Sequence, residues 1–164
     1  MYEYRCKVIR VIDGDTVDID IDLGFDVVLS GQRVRLHGID TPESRTSDKI
    51  EKQYGILAKD YLKSFLHPGE SAILRTIREK DGDDARGKFG RILGDFIVYD
   101  SKKDAHRSVN EMMIEYGYAV AYHGQSKDDV QQQHMENRKL LKETIGFVAE
   151  GLDAAIWPAG VRIP

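Results

Sequence analysis

Between residues 17 and 23 the chain alternates without a slip: Val17, Ile19, Ile21 and Leu23 are apolar, and Asp18, Asp20 and Asp22 are acidic. A period of two sends one set toward a core and the other toward water, which predicts a half-buried strand. Residues 7–12 predict a strand before it, joined through a turn of Asp13, Gly14, Asp15 and Thr16. After Gly24 the pattern predicts a third strand near 26–30, a turn at Ser30, Gly31 and Gln32, and a fourth strand over 33–39. On that fourth strand Val34, Leu36 and Gly38 fall on one side and Arg35, His37 and Ile39 on the other. Loops this short leave no room for helical crossovers, so the strands are expected to pair antiparallel.

From Ile50 the period lengthens. Ile50, Tyr54, Leu57, Ala58, Tyr61, Leu62, Phe65 and Leu66 recur at helical spacing until Pro68 and Gly69 stop the run. Strands are expected again over 70–78 and 92–99, separated by the charged run EKDGDDARGKFGR. Ser108 with Glu111 is a capping-box pattern for a short helix that Gly117 can close, and a weakly amphipathic third helix is predicted over 127–142. The sum is an α+β domain: a five-stranded antiparallel barrel of OB type with about three helices. Residues 1–146 form that domain in this reading. Residues 147–164 are a tail expected to pack on it, with Trp157 as a packing anchor.

Composition narrows the class. A chain of 164 residues reads as one domain, and at this size about 70% of the unfolded surface is buried on folding. Charged residues at 32% and hydrophobic residues at 41% fit a globular chain and exclude a disordered one. The single Cys6 excludes an intramolecular disulfide and a cysteine-ligated zinc cluster. No signal-peptide core and no apolar run of about 18 residues is visible, so the expected setting is cytoplasmic, without membrane contact. A formal net charge of −4 speaks against a generic nucleic-acid coat but leaves room for basic groups gathered at one site.

The chemistry concentrates in VRLHGIDTPE, residues 34–43. Arg35 lies on a strand face that ends beside Asp40, and Pro42 fixes the turn that follows, with Thr41 and Glu43 on either side. If the Asp15 turn pairs beside this strand end, two carboxylates and a backbone carbonyl converge, a donor set suited to Ca²⁺ or Mg²⁺. Each piece alone has a plainer reading: an Asp-Gly-Asp turn is usually only a turn, and an arginine on a strand is usually only surface. The series Asp18, Asp20, Asp22 mimics the start of an EF-hand, but Leu23 and Leu29 occupy the positions that need glycine and glutamate, so a solvated strand face is the better account. His106, His123 and His134 have no recognisable metal spacing. Arg75, Arg78, Lys80, Arg86 and Lys88 form a basic stretch, either solvated surface or a guide for a nucleic-acid backbone.

Three strings in register, VIDGDTV, VRLHGIDTPE and GKFGR, resemble the staphylococcal nuclease (thermonuclease) family, and the similarity runs over roughly residues 5–142. The resemblance implies an OB-fold phosphodiesterase that uses Ca²⁺ to cut DNA and RNA, leaving 3′-phosphate and 5′-hydroxyl ends. It implies metal binding by Asp15, Asp40 and the Thr41 carbonyl. Glu43 becomes the candidate general base, and Arg35 and Arg91 become the phosphate clamps. Lys88, Phe89 and Tyr122 become substrate contacts. A single-stranded substrate and a monomeric protein are the accompanying expectations.

Departures from the family pattern are also visible. Phe89 stands where relatives often carry tyrosine, Gly124 replaces an expected aromatic, and extra residues lengthen the hairpin between Thr16 and Arg35. The rival reading is a non-catalytic OB module that binds nucleic acid or protein. Such a module has no need of Asp15, Arg35, Asp40, Glu43 and Arg91 together.

Overall fold

The computed structural model describes residues 2–77 and 91–151. Strands β1 (Glu3–Asp13), β2 (Thr16–Asp22), β3 (Val28–Leu36), β5 (Ser71–Thr76) and β6 (Ile92–Asp100) run β3-β2-β1-β5-β6, and β3 pairs again with β6 to close a barrel. β7 (Ala105–Ser108) extends the sheet beyond β6, and a two-residue β4 (Ile39–Asp40) pairs with β8 (Val120–Ala121). Helices α1 (Lys49–Lys63), α2 (Val109–Glu115) and α3 (Lys127–Ile145) complete the described residues. None of these helices is long and apolar enough to cross a membrane.

The α+β barrel expected from the sequence is present, with one correction: β3 and β6 pair in parallel, so the barrel is mixed rather than all antiparallel. Parity requires this. Five strands whose neighbours all reverse direction cannot close a ring, and one seam must join two strands of the same sense. Its register is Val34 opposite Ile92, Arg35 opposite Leu93 and Leu36 opposite Gly94.

The predicted turn at Ser30, Gly31 and Gln32 is also corrected, because residues 28–36 are one strand. A register shift opposite Ile19 and Ile21 absorbs the irregularity, while Gly31, at φ +64°, donates its N–H to Asp20 Oδ1 at 2.8 Å. The loop chemistry serves a bulge rather than a reversal. Ile39 is a third correction. It is 1% exposed and part of the core, since the strand breaks at His37 and Gly38 and β4 restarts on a new face.

Elsewhere local chemistry and structure agree. β2 buries Val17, Ile19 and Ile21 and turns its aspartates outward. Asp48 caps α1 by accepting from the N–H groups of Ile50 and Glu51, and the helix buries Tyr54, Ala58 and Leu62. Ser108 caps α2 by accepting from the Glu111 N–H. Ser126 caps α3 in the same way; the helix runs to Ile145, three residues beyond the predicted 142, and Gly146 ends it in the left-handed region at φ 69°. The core is filled by Phe96, Ile19, Leu36, Leu62, Leu74 and Met112 among others, with α1 and α2 against the barrel. A smaller cluster of Tyr54, Leu141 and Ala149, with Phe147 against it, fastens the end of α3 to α1.

Candidate active site

The β1–β2 turn sits directly on the segment after β4. A Cβ added at Gly14 would stand 3.0 Å from Ala58 Cβ and 3.2 Å from Thr41 Oγ1, so only glycine lets the turn approach so closely. That contact brings Asp15 in beside β3, where the Leu36 N–H donates to the Asp15 carbonyl at 2.8 Å. Thr16 Oγ1 donates to Asp15 Oδ1 at 2.9 Å, and Arg35 Nη1 lies 3.4 Å from Asp15 Oδ2. The same guanidinium donates to the Leu36 carbonyl at 2.8 Å and to the Ile39 carbonyl at 3.1 Å. Arg35 is therefore fixed by main-chain acceptors at the point where the strand turns, and its orientation does not depend on the carboxylate alone.

Asp40 is held by β4, whose partner β8 places Asp40 opposite Val120. His134 Nε2 lies 2.8 Å from Asp40 Oδ2. Thr41 is 4% exposed. Glu43 follows in a turn that packs on α1 at Gly55, where an added Cβ would fall 2.4 Å from the Glu43 carbonyl oxygen. Ser44 Oγ donates to Asp13 Oδ1 and ties this turn back to β1.

Arg35, Asp40, Thr41, Glu43, Tyr122 and His134 share the lining of one cleft of about 480 Å³. Asp15 is not part of that lining and is joined to it through its pair with Arg35. Tyr122 is 47% exposed at its edge, anchored by its N–H donating to the Gly38 carbonyl at 2.8 Å. Arg91 is placed elsewhere. It precedes β6 and lines a separate cleft with Asp13, Asp18, Arg33 and Arg45. Lys88 and Phe89 lie outside the described residues.

Burial against the cleft wall, and then the charges of Asp15, Asp40, Glu51 and Asp13, push the Glu43 carboxyl above the usual range. Because Glu43 is exposed overall, the crowding of like charge is the more telling cause. Among the described residues no three His, Cys, Asp or Glu side chains form a ready metal-holding group. A hard cation needs less than that from side chains. Ca²⁺ takes six to eight oxygens, and main-chain carbonyls and waters serve as well as carboxylates. A surplus of acidic oxygens that raises its own proton affinity is a donor set that a divalent cation relieves.

In the sequence His134 is set aside as a metal ligand for want of a recognisable spacing, and its pairing with Asp40 is visible only in the fold. The buried residues of α3 are His134, Arg138 and Leu141, at i, i+4 and i+7. The helix looks weakly amphipathic because two of its inward positions are polar.

Comparison with known proteins bears on this arrangement. The family model described as staphylococcal nuclease homologue matches residues 33–143, a segment that contains Arg35, Asp40, Thr41, Glu43, Arg91 and Tyr122. Asp15 precedes it. Similar proteins include endonuclease YhcR of Bacillus subtilis (strain 168), 32% identical over 125 residues that cover 73% of this chain and 9% of that protein. Protein ParB of Escherichia coli is 34% identical over 131 residues, 77% of this chain and 63% of ParB. Micrococcal nuclease of Shigella flexneri is 26% identical over 148 residues, 88% of this chain and 74% of that protein. The chain thus spans less than two thirds of the length of YhcR and of ParB. The family model covers the end of β3, the strands from β4 to β8 and the helices as far as residue 143, including the turn that gathers Arg35, Asp40 and Glu43, and on that match this chain belongs to the staphylococcal nuclease homologue family.

Proposed function

We propose that the chain is a Ca²⁺-dependent nuclease that hydrolyses phosphodiester bonds of DNA and RNA to 3′-phosphate and 5′-hydroxyl products. The observation that carries this reading is the meeting, in one cleft, of the guanidinium of Arg35 with the carboxylates of Asp40 and Glu43. Asp15, Asp40 and the Thr41 carbonyl would hold the cation, which when bound neutralises phosphoryl charge and polarises a phosphoryl oxygen. Glu43, with its raised proton affinity, is suited to take the proton of an attacking water. The water oxygen bonds to phosphorus, the bond to the 5′ oxygen breaks, and that oxygen takes up a proton from solvent. Arg35 hydrogen-bonds the phosphoryl oxygens as their charge rises. Arg91 lines a separate cleft, so its proposed role as the second phosphate clamp requires the bound nucleic acid to reach from one cleft to the other.

The nuclease names of YhcR and of the Shigella protein agree with this reading. Tyr122 at the cleft edge offers a face on which an unpaired base can stack, which supports a single-stranded substrate. A gel assay on a single-stranded oligonucleotide, with Ca²⁺ against EDTA and with Glu43→Gln in parallel, tests it. Cleavage that needs Ca²⁺ and Glu43 and leaves 3′-phosphate ends is expected. Equal degradation with EDTA would refute the metal dependence, and no cleavage under any condition while the oligonucleotide still binds would leave the non-catalytic module as the better account.

A further inference from the structure

Asp40 projects from a strand only two residues long, and its carboxylate is 32% exposed. Such a side chain is free to rotate unless something holds it. His134 does. Its imidazole is 6% exposed, and Nε2 approaches Asp40 Oδ2 at 2.8 Å across 94 residues of sequence. A carboxylate oxygen can only accept, so the proton of this bond sits on Nε2.

The backbone beneath the histidine is fixed in turn. Asn137, one turn further along α3, donates through Nδ2 to the Ala119 carbonyl at 2.9 Å, next to β8 and so beside the strand that carries Asp40. Arg138 lays its guanidinium 4.8 Å from the centre of the Tyr54 ring on α1. Residues i, i+3 and i+4 of α3 therefore fasten one helix face to the elements that build the cleft.

A plain packing role does not explain the residue type. His134 Nδ1 is also buried and has no hydrogen-bond partner among the described residues. Burying a ring nitrogen unsatisfied is unfavourable, and an apolar side chain at this position would avoid it. What only the histidine supplies is the Nε2–H donated to Asp40.

We infer that His134 is a positioning residue for the cation site: by engaging Oδ2 it fixes the Asp40 carboxylate and leaves Oδ1 as the oxygen offered to Ca²⁺. The inference rests on the reading of Asp40 as a metal ligand. Hydrogen bonds to a ligating carboxylate orient it before the ion arrives, and loss of such a partner typically weakens metal affinity by about 10- to 100-fold.

Calorimetric titration of the metal-free protein with Ca²⁺ tests it in four forms: wild type, His134→Ala, His134→Gln and Asp40→Asn. Glutamine can place its amide nitrogen near the site of Nε2 and still donate. The expected result is a loss of about 10- to 100-fold in Ca²⁺ affinity for His134→Ala, with His134→Gln close to wild type. Should the alanine form not fold, His134→Asn, which carries its amide one bond short of the carboxylate, takes its place with the same expectation. Wild-type affinity in His134→Ala, alongside a loss in Asp40→Asn, would overturn the positioning role and leave the metal assignment standing. Equal weakening in the alanine and glutamine forms would also overturn it, since filling the space rather than donating to Asp40 would then be what matters. Unchanged affinity in Asp40→Asn would instead remove Asp40 from the metal site and this inference with it.

Discussion

Gly55→Ala places a methyl group where α1 meets the turn that carries Glu43. The new Cβ would lie 2.4 Å from the Glu43 carbonyl oxygen, 2.5 Å from its carbon and 2.6 Å from the Ser44 nitrogen. All three are backbone atoms, so no side chain can swing aside. Contacts below 3.0 Å are essentially never seen for a Cβ, and closing the gap from 2.4 to 3.0 Å requires a shift of at least 0.6 Å. Overpacking of this kind costs about 1–3 kcal/mol, and alanine in place of a mid-helix glycine recovers about 1 kcal/mol. A net loss of about 1 kcal/mol follows, equivalent to about 2–4 °C in melting temperature at this chain length. Catalysis is more sensitive. Since a misplacement of 1 Å can cost about 10²-fold, a shift of this size at the proposed general base is expected to slow cleavage by about tenfold or more. Thermal melts followed by circular dichroism, with single-turnover cleavage of a short oligonucleotide in Ca²⁺, measure both effects on one preparation. A variant that melts at or above the wild-type temperature and cuts at the wild-type rate would show that α1 slides without moving Glu43, and the proposed coupling would be wrong.

Other outcomes follow from the same geometry. In metal-free protein the raised Glu43 carboxyl holds its proton more tightly folded than unfolded, so stability falls as pH rises from the ordinary glutamate value of about 4.3 through the raised folded one. Urea melts across that window should show a step that Glu43→Gln removes; identical pH profiles for the two proteins would refute the electrostatic account. Arg91→Lys keeps the charge but loses the planar two-point contact, and a fall of at least about 10² in single-turnover rate is expected, with oligonucleotide binding less affected. A rate near wild type would make Arg91 a residue of the separate cleft alone. Activity should decline with added salt, and only shallowly, because a chain of net charge −4 holds a polyanion through few basic groups. A steep dependence would contradict so small a footprint.

What could be read from the sequence was what is encoded locally. The alternation of β2, the Ser108 cap and the stripe of α1 each arise within a few residues, and local rules describe them. The turn with Asp15, the strand with Arg35 and the loop with Asp40, Thr41 and Glu43 could be named for the same reason. Gly31 was misread because a left-handed glycine suits a hairpin turn and a bulge equally; the deciding partner, the Asp20 side chain, lies on another strand. Ile39 changed face because the chain breaks at Gly38, which alternation alone does not show. The β3–β6 seam and the His134–Asp40 pair were out of reach, since each joins residues far apart in the chain and neither leaves a periodic trace. The placement of Arg91 beside Arg33 and Arg45 follows from that same unseen seam.

The parallel seam also has a temporal meaning. Asp15, Arg35, Asp40 and Glu43 all precede the segments that shape the cleft, for β3 finds its closing partner only at residues 92–94, and β4 finds β8 only at Val120–Ala121. Contacts between such distant segments form late, because the intervening chain must be ordered before they compensate its lost freedom. A nascent or truncated chain lacking α3 carries every acidic group of the cleft but not the wall that contains His134. A partly made molecule therefore has the ingredients of the site without its shape.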